Sequence, residues 1–174
     1  MIIRKKYRFE AAHMVRNCTS QRCRENIHGH SYVVEVFLKG NTLDDGCMVL
    51  DFSKLSEVKE LIDSFDHSYC LWSKEDEEVA AMIQKINNRI VTMPISPSAE
   101  GFALVLFVMI SDLIMHIPKN NGEGVVRLHS VRVHETETGY AEAFEEDLSM
   151  APFASEKIIF SDEIRENWKL LAKK

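Results

Sequence analysis

The sequence predicts an α+β domain: a four-stranded antiparallel sheet built from two hairpins, with helices packed on one face. Three observations predict it. Segments 2–13 and 30–39, and later 125–135 and 140–144, alternate apolar and polar residues in the period-two pattern of half-buried strands. The segments between these pairs carry apolar residues at helical spacing. No repeat, low-complexity tract or linker divides the 174 residues, so 1–174 reads as one domain. Strands, then helices, then strands is the element order of a layered α+β fold.

In 2–13, Tyr7, Phe9, Ala11 and His13 share one face, and Arg8 and Glu10 take the other. Residues 14–27, rich in Arg, Asn, Cys, Ser and Gln, read as a loop. Strand 30–39 stops at Gly40-Asn41 and at D-D-G 44–46, and 48–52 reads as a short continuation. Ser53 is placed as the N-cap of a helix over 53–63 with an apolar stripe of Leu55, Val58, Leu61 and Ile62. D-H-S-Y-C at 66–70 reads as a loop. A second helix, 75–88, carries Val79, Met82, Ile83 and Ile86 on one side, and Pro94 and Pro97 interrupt. Ser98 caps a longer helix to about His116, which Pro118 ends. Its run F-A-L-V-L-F-V-M-I at 102–110 falls short of the ~20 residues a membrane span needs, and reads as buried helix. N-N-G-E-G at 120–124 and E-T-G at 137–139 are turns, the second inside a hairpin. Residues 155–173 read as a terminal amphipathic helix through Ile158, Ile159, Ile164, Trp168 and Leu171.

Composition narrows the function class. Apolar residues at 45% and charged residues at 28% describe a soluble globular chain. A net charge of −6 argues against nucleic acid and anionic membranes as partners, although a local basic patch can still serve a phosphorylated small molecule. Cys18, Cys23, Cys47 and Cys70 lack a secretory context, so they read as reduced thiols of a cytoplasmic protein rather than a disulfide framework.

The chemistry concentrates at H-G-H-S-Y, 28–32. In an extended segment His28 and His30 point to one side, and Gly29 keeps the backbone slim enough for a third ligand to approach. His13, at the end of the first strand, is the natural third member. Three neutral imidazoles with one open position make a catalytic zinc site; hydrogen-bonded histidines at strand ends are the alternative. The motifs of zincins, zinc fingers, P-loops and dinucleotide folds are absent.

Acid–base candidates follow. Cys23 lies between Arg22 and Arg24, where positive charge favours a thiolate base or nucleophile; a buried inert thiol is the alternative. Asp66 can orient and charge-stabilise His67 for proton exchange, or the pair can be a turn aspartate beside a surface histidine. Glu135, at the end of the third strand, can accept two N–H donors from a guanidine-like ring edge or simply be solvated. Glu100 sits where it favours a helix dipole, and His116, His129 and His134 read as structural or surface residues.

The chain closely resembles the 6-pyruvoyltetrahydropterin synthase and 6-carboxytetrahydropterin synthase family. The resemblance lies in F-E-A-A-H at 9–13, C-R-E-N-I-H-G-H-S-Y at 23–32, G-C-M-V-L-D-F at 46–52, F-D-H at 65–67, P-S-A-E at 97–100 and V-R-V-H-E-T at 131–136. It spans about 3–147, leaving a C-terminal extension over about 150–174. It implies the tunnelling fold, and a ring-shaped homo-oligomer, a dimer of trimers, with active sites between subunits. It implies zinc on His13, His28 and His30, Cys23 as base, Asp66 and His67 as proton relay, and Glu135 as anchor of the pterin ring. Ser98 and Glu100 are implied as further pterin contacts. The implied substrate is 7,8-dihydroneopterin triphosphate, with zinc polarising its side chain.

Within that family the sequence is similar to the carboxy-forming branch of queuosine biosynthesis, which eliminates triphosphate and releases acetaldehyde. The pyruvoyl-forming branch, which stops at triphosphate elimination, is the alternative. A folate-pathway branch that cleaves dihydroneopterin, and an inactive zinc- or pterin-binding module, are further ones. The chain departs from the common pattern by one extra residue between Cys23 and His28, and it carries Glu25 in that loop. Segment 71–97 is longer and more charged than in compact relatives.

Overall fold

The computed structural model describes residues 1–168, and one long hairpin organises it. β1 (Ile2–His13) and β2 (His28–Gly40) pair antiparallel over their whole lengths, from Ile2 opposite Lys39 to His13 opposite His28. Period-two alternation buries Tyr7, Phe9, Ala11 and His13 of β1 with Tyr32, Val34, Val36 and Leu38 of β2 on one face. The second hairpin, β5 (Val126–His134) with β6 (Tyr140–Ala143), joins antiparallel along β2. These four strands are the sheet the sequence predicts.

The sheet is larger than that. β3 (Ser68–Trp72) and β4 (Ile90–Met93) extend it in parallel beyond β1, and β7 (Ile159–Phe160) closes the edge antiparallel to β4. The result is a mixed seven-stranded sheet in the order β6-β5-β2-β1-β3-β4-β7, not a four-stranded antiparallel one. β3 was expected as loop because it does not alternate. It is covered on both faces, Cys70 facing the main core and Tyr69 and Leu71 a second cluster, so S-Y-C-L-W carries no period-two signal.

That second cluster corrects the expectation of helices on one face only. α3 (Glu77–Ile86) bridges β3 and β4 as a parallel crossover, and packs Val79, Ala80 and Ile83 against Tyr69, Leu71, Ile90, Ala12 and Met14. Ala12 and Met14 point away from the face that carries Ala11 and His13, so α3 lies on the opposite side. Met82 and Ile86, assigned to its buried stripe, are exposed.

The main face is covered by α2 (Ser56–Asp63) and α4 (Ala99–His116). The first starts later than expected. Phe52–Leu55 is a 3-10 turn capped by Asp51, which accepts the Ser53 amide at 2.8 Å, so Ser53 is not the cap. The apolar stripe of Leu55, Val58, Leu61 and Ile62 is buried as expected. Ser98 does cap α4, its Oγ accepting the Gly101 amide at 3.2 Å. α4 is long and apolar enough to cross a membrane by length and composition, but it is the core helix here, buried from Gly101 to Phe107 and at Ile110 and Ile114. Residues 48–52 form no strand, although Val49 and Leu50 are buried. Loop 14–27 contains a short helix, α1 (Gln21–Glu25).

The C-terminal segment is not one helix. A 3-10 turn at Ser155–Lys157 leads into β7 and then α5 (Asp162–Asn167). Ile158 and Phe160 are buried while Ile159 is exposed, so strand alternation governs a stretch that helical spacing also fits. Leu171 lies outside the described residues.

Phe9, Tyr32, Phe65 and Phe102 meet where β1, β2, α2 and α4 converge; Phe9 stacks on Tyr32 with ring centroids 4.8 Å apart, and Phe102 lies 4.8 Å from Tyr32 and 5.7 Å from Phe9. This cluster floors the region beneath His13, whose ring centroid is 6.3 Å from that of Phe102. Phe102→Ala is expected to destabilise the fold by about 3–5 kcal/mol, read by denaturant unfolding. Gly101 is fixed by close approach: a Cβ there would lie 1.9 Å from the Ser96 carbonyl oxygen. The tight contact seats the 96–98 turn, whose next carbonyl belongs to the site.

Candidate active site

Strand register builds the centre. His13 and His28 face each other across β1 and β2, and His30, two residues on, emerges on the same face. One ring nitrogen from each of the three lies within 4.8 Å of the other two. Gly29 serves the strands rather than a third ligand, since a Cβ there would meet the Ala11 carbonyl oxygen of β1 at 3.0 Å.

Two of the rings are fixed by backbone carbonyls. His13 Nδ1 donates to the Pro97 carbonyl at 2.6 Å, and His28 Nδ1 donates to that of Asn26 at 2.9 Å. Each bond leaves Nε2 with its lone pair free, the tautomer that a metal ligand needs. His13 is fully buried. Burial, opposed by the Pro97 hydrogen bond and helped by His28 and His30, holds its imidazole down to about 4. It is therefore neutral at physiological pH. The donor set fits a cation that prefers imidazole nitrogen.

That burial has a consequence for the metal-free protein. A histidine whose folded value lies below its unfolded 6.5 binds protons preferentially when unfolded, so stability falls as pH drops through the window from 6.5 to about 4. Metal-free protein is expected to lose about 2 kcal/mol from His13 between pH 7 and pH 5. Urea titrations at the two pH values measure the loss, and His13→Gln should remove that part of it.

Glu135 follows the last residue of β5. Val133 pairs with Val34 and His134 with Val33, so the register carries Glu135 toward Tyr32 and onto the histidine face. Its Oε1 lies 3.7 Å from His13 Nε2 and 4.0 Å from His30 Nε2. A half-buried carboxylate thus stands at the rim of the imidazole cluster, adding negative charge where a cation would sit. Tyr32 completes the floor: its buried hydroxyl is 3.3 Å and 3.4 Å from the two nitrogens of His13.

The acid–base candidates form two further groups. Cys23 lies on α1, half-buried, and its carbonyl accepts the Val15 amide at 3.0 Å, which folds the loop back beside the end of β1. Asp66 and His67 are hydrogen-bonded to one another, Oδ2 to Nδ1 at 2.8 Å. Asp66 Oδ1 accepts the Glu10 amide at 2.7 Å, and the His67 amide donates to the Glu10 carbonyl, also at 2.7 Å. Burial pushes the Asp66 carboxyl up, but the Glu10 amide, His67 and Arg89 outweigh it and hold it below its usual value. His67 adopts a left-handed backbone at φ +56, costly for a residue with a side chain, while its ring is 77% exposed. The backbone thus presents an accessible imidazole whose Nδ1 is oriented by Asp66.

Among the described residues no hydrogen bond joins Asp66–His67 to Cys23 or to the histidine cluster. Ser98 Oγ is committed to its helix cap, and Glu100 is exposed in the first turn of α4. Glu25 is held outward by Gln21 at 2.9 Å and Arg24 at 3.1 Å. His134 does not join the centre: its Nε2 meets the buried Glu35 at 3.1 Å on the other sheet face. Sequence reasoning missed Tyr32 and the carbonyls of Pro97 and Asn26. Period-two spacing from His28 and His30 points to Tyr32; backbone carbonyls leave no side-chain signal.

The 6-pyruvoyl tetrahydropterin synthase family model matches residues 2–146. A Helicobacter pylori protein described as 6-carboxy-5,6,7,8-tetrahydropterin synthase is 42% identical over 173 residues, covering 97% of this chain and 86% of that protein. An uncharacterised Wolinella succinogenes protein of known structure superposes with a TM-score of 0.65 at 20% identity, over 83% of this chain and 98% of the other. The 6-pyruvoyl tetrahydropterin synthase of Plasmodium falciparum superposes with a TM-score of 0.59 at 19% identity, over 82% and 96%. At these identities the two structures speak for the fold.

Proposed function

The chain belongs to the 6-pyruvoyl tetrahydropterin synthase family, and from that membership we propose that it is a 6-carboxy-5,6,7,8-tetrahydropterin synthase. It is a metal-assisted lyase that converts 7,8-dihydroneopterin triphosphate and one water to 6-carboxytetrahydropterin, acetaldehyde and triphosphate, the reaction that feeds 7-deazaguanine (queuosine) synthesis. The observation that carries the reading is the convergence of His13, His28 and His30 with the Glu135 carboxylate at their rim.

His13, His28 and His30 would hold Zn2+, which when bound supplies Lewis-acid stabilisation of charge developing on the substrate's side-chain oxygens. Glu135 accepts N–H donors from the pterin ring edge, and its place beside the imidazoles sets the substrate side chain over them. Cys23 removes a side-chain proton as thiolate. His67 returns protons from Nε2 while Asp66 fixes Nδ1. Ser98 and Glu100 lie on the turn whose Pro97 carbonyl orients His13, and stand as weaker contacts to the ring.

Within one chain no hydrogen bond joins Cys23 to Asp66–His67 among the described residues. We infer that a neighbouring subunit brings the relay to the cysteine, in a homo-oligomer built as a dimer of trimers. No nucleic-acid or membrane partner enters this reading, and the protein works in the cytoplasm. Incubation of zinc-loaded protein with 7,8-dihydroneopterin triphosphate, followed by mass analysis of products, tests it. A 6-carboxypterin with acetaldehyde is expected. A 6-pyruvoyl product would assign the chain to the pyruvoyl-forming branch, and tight binding without turnover would leave a binding module.

A further inference from the structure

The acid–base residues rest on short pieces of chain, Cys23 on the five-residue α1 and Asp66–His67 on the turn after α2, and both pieces are gripped from the β3–α3–β4 crossover. Arg16 Nη1 donates to the Arg24 carbonyl at 2.8 Å, directly after Cys23. Its Nε reaches both oxygens of Glu75, at 2.9 Å and 3.0 Å, and that carboxylate is only 5% exposed. Glu75 lies at the start of the β3–α3–β4 crossover, between β3 and α3.

At the other end of the crossover, one residue before β4, stands Arg89. Its Nε donates to the Asp66 carbonyl at 2.5 Å, and its Nη2 to those of Asp63 at 2.9 Å and Ser64 at 3.4 Å. Nη1 pairs with Glu163 of α5 at 2.7 Å. One guanidinium therefore fastens the turn that ends α2, presents Asp66–His67, and ties both to the C-terminal extension. Its planar fork suits three carbonyls and a carboxylate in a way a lysine does not.

We propose that the β3–α3–β4 crossover is a brace whose two ends, Glu75 and Arg89, are positioning residues for the two halves of the acid–base machinery: Glu75, through Arg16, for Cys23, and Arg89 for Asp66–His67. This rests on the roles given above to Cys23 and His67. It assigns a task to the segment over 71–97 that sequence left without one, and to Glu163 in the C-terminal extension. Neither residue touches the reacting atoms.

The two ends predict separable defects. In zinc-loaded protein, Glu75→Gln should lower kcat about tenfold or more with little change in KM, since misplacement of a reacting group is costly. It should also raise the rate of Cys23 alkylation by iodoacetamide several-fold, read site by site by peptide mass, and leave the His67 limb of the pH–rate profile in place. Arg89→Gln should lower kcat comparably, shift that limb, and leave Cys23 alkylation at the wild-type rate, with Arg89→Lys recovering part of the loss. Zinc per chain and thermal midpoint report folding; if a variant does not fold, Arg16→Lys and Arg89→Lys replace the pair. The brace is wrong if the wild type turns over and requires Cys23 and His67, yet both variants keep wild-type kcat. It is equally wrong if both variants move both readouts together, which is general loosening. A wild type without turnover would sink the functional reading instead, and the alkylation measurement would still decide the Glu75 end.

Discussion

Replacing His13 with alanine is expected to remove zinc and turnover together. His13 is the fully buried member of the cluster and the one whose orientation is most constrained, by the Pro97 carbonyl on Nδ1 and the Tyr32 hydroxyl beneath the ring. Its loss takes one of three imidazoles from the centre and leaves the Pro97 carbonyl without its donor. Removing a hydrogen bond that orients a ligand costs metal sites about 10–100-fold in affinity, so loss of an imidazole itself should exceed ~100-fold. Metal content after dialysis against a weak chelator measures this, with product formation followed on the same sample. Full zinc retention in a folded His13→Ala protein would overturn the assignment. His28→Ala should behave alike, with a smaller effect on stability, since His28 is only partly buried.

The legible part of this molecule is the part governed by local periodicity. Two hairpins and the core helix follow from alternation at Tyr7, Phe9 and Ala11, from the Ser98 cap and from Pro118, and the structure has them where the sequence puts them. The histidine centre was legible for the same reason: same-face spacing in β2 and a strand end in β1 bring three rings together. What failed was non-local. β3 and β4 are short parallel strands covered on both sides, so their residues do not alternate, and nothing near Ser68 announces pairing with Ala11. β7 depends on an edge that β4 provides from far along the chain. The supports of the site escaped likewise. Pro97, Asn26 and Arg89 act through backbone carbonyls or on them, and contacts of that kind are invisible until the fold exists.

Cys23→Ala is expected to stop turnover and leave zinc in place, the opposite pairing to His13→Ala. The thiol is carried by α1, outside the imidazole cluster, and α1 is held by backbone bonds to Val15 and by Arg16, neither of which uses the sulfur. The fold and the three-imidazole cluster should therefore survive. Loss of a positioned acid–base group typically lowers rate by about 10²–10⁴-fold, and a stopped assay at saturating substrate measures kcat over that range. The competing base in this loop is Glu25, but Gln21 and Arg24 hold its carboxylate outward, and those hydrogen bonds keep it below its usual value and so weaken it as a base. Glu25→Gln should accordingly keep kcat within a few-fold of the wild type. Cys23 and Glu25 lie on the same short helix, so the two substitutions together decide between them. If Cys23→Ala retains activity and Glu25→Gln loses it, the base is the glutamate and the cysteine is a structural thiol. If both lose activity, the two share the proton, and the pH–rate profile of Glu25→Gln should then lose its carboxylate limb while keeping the thiol one.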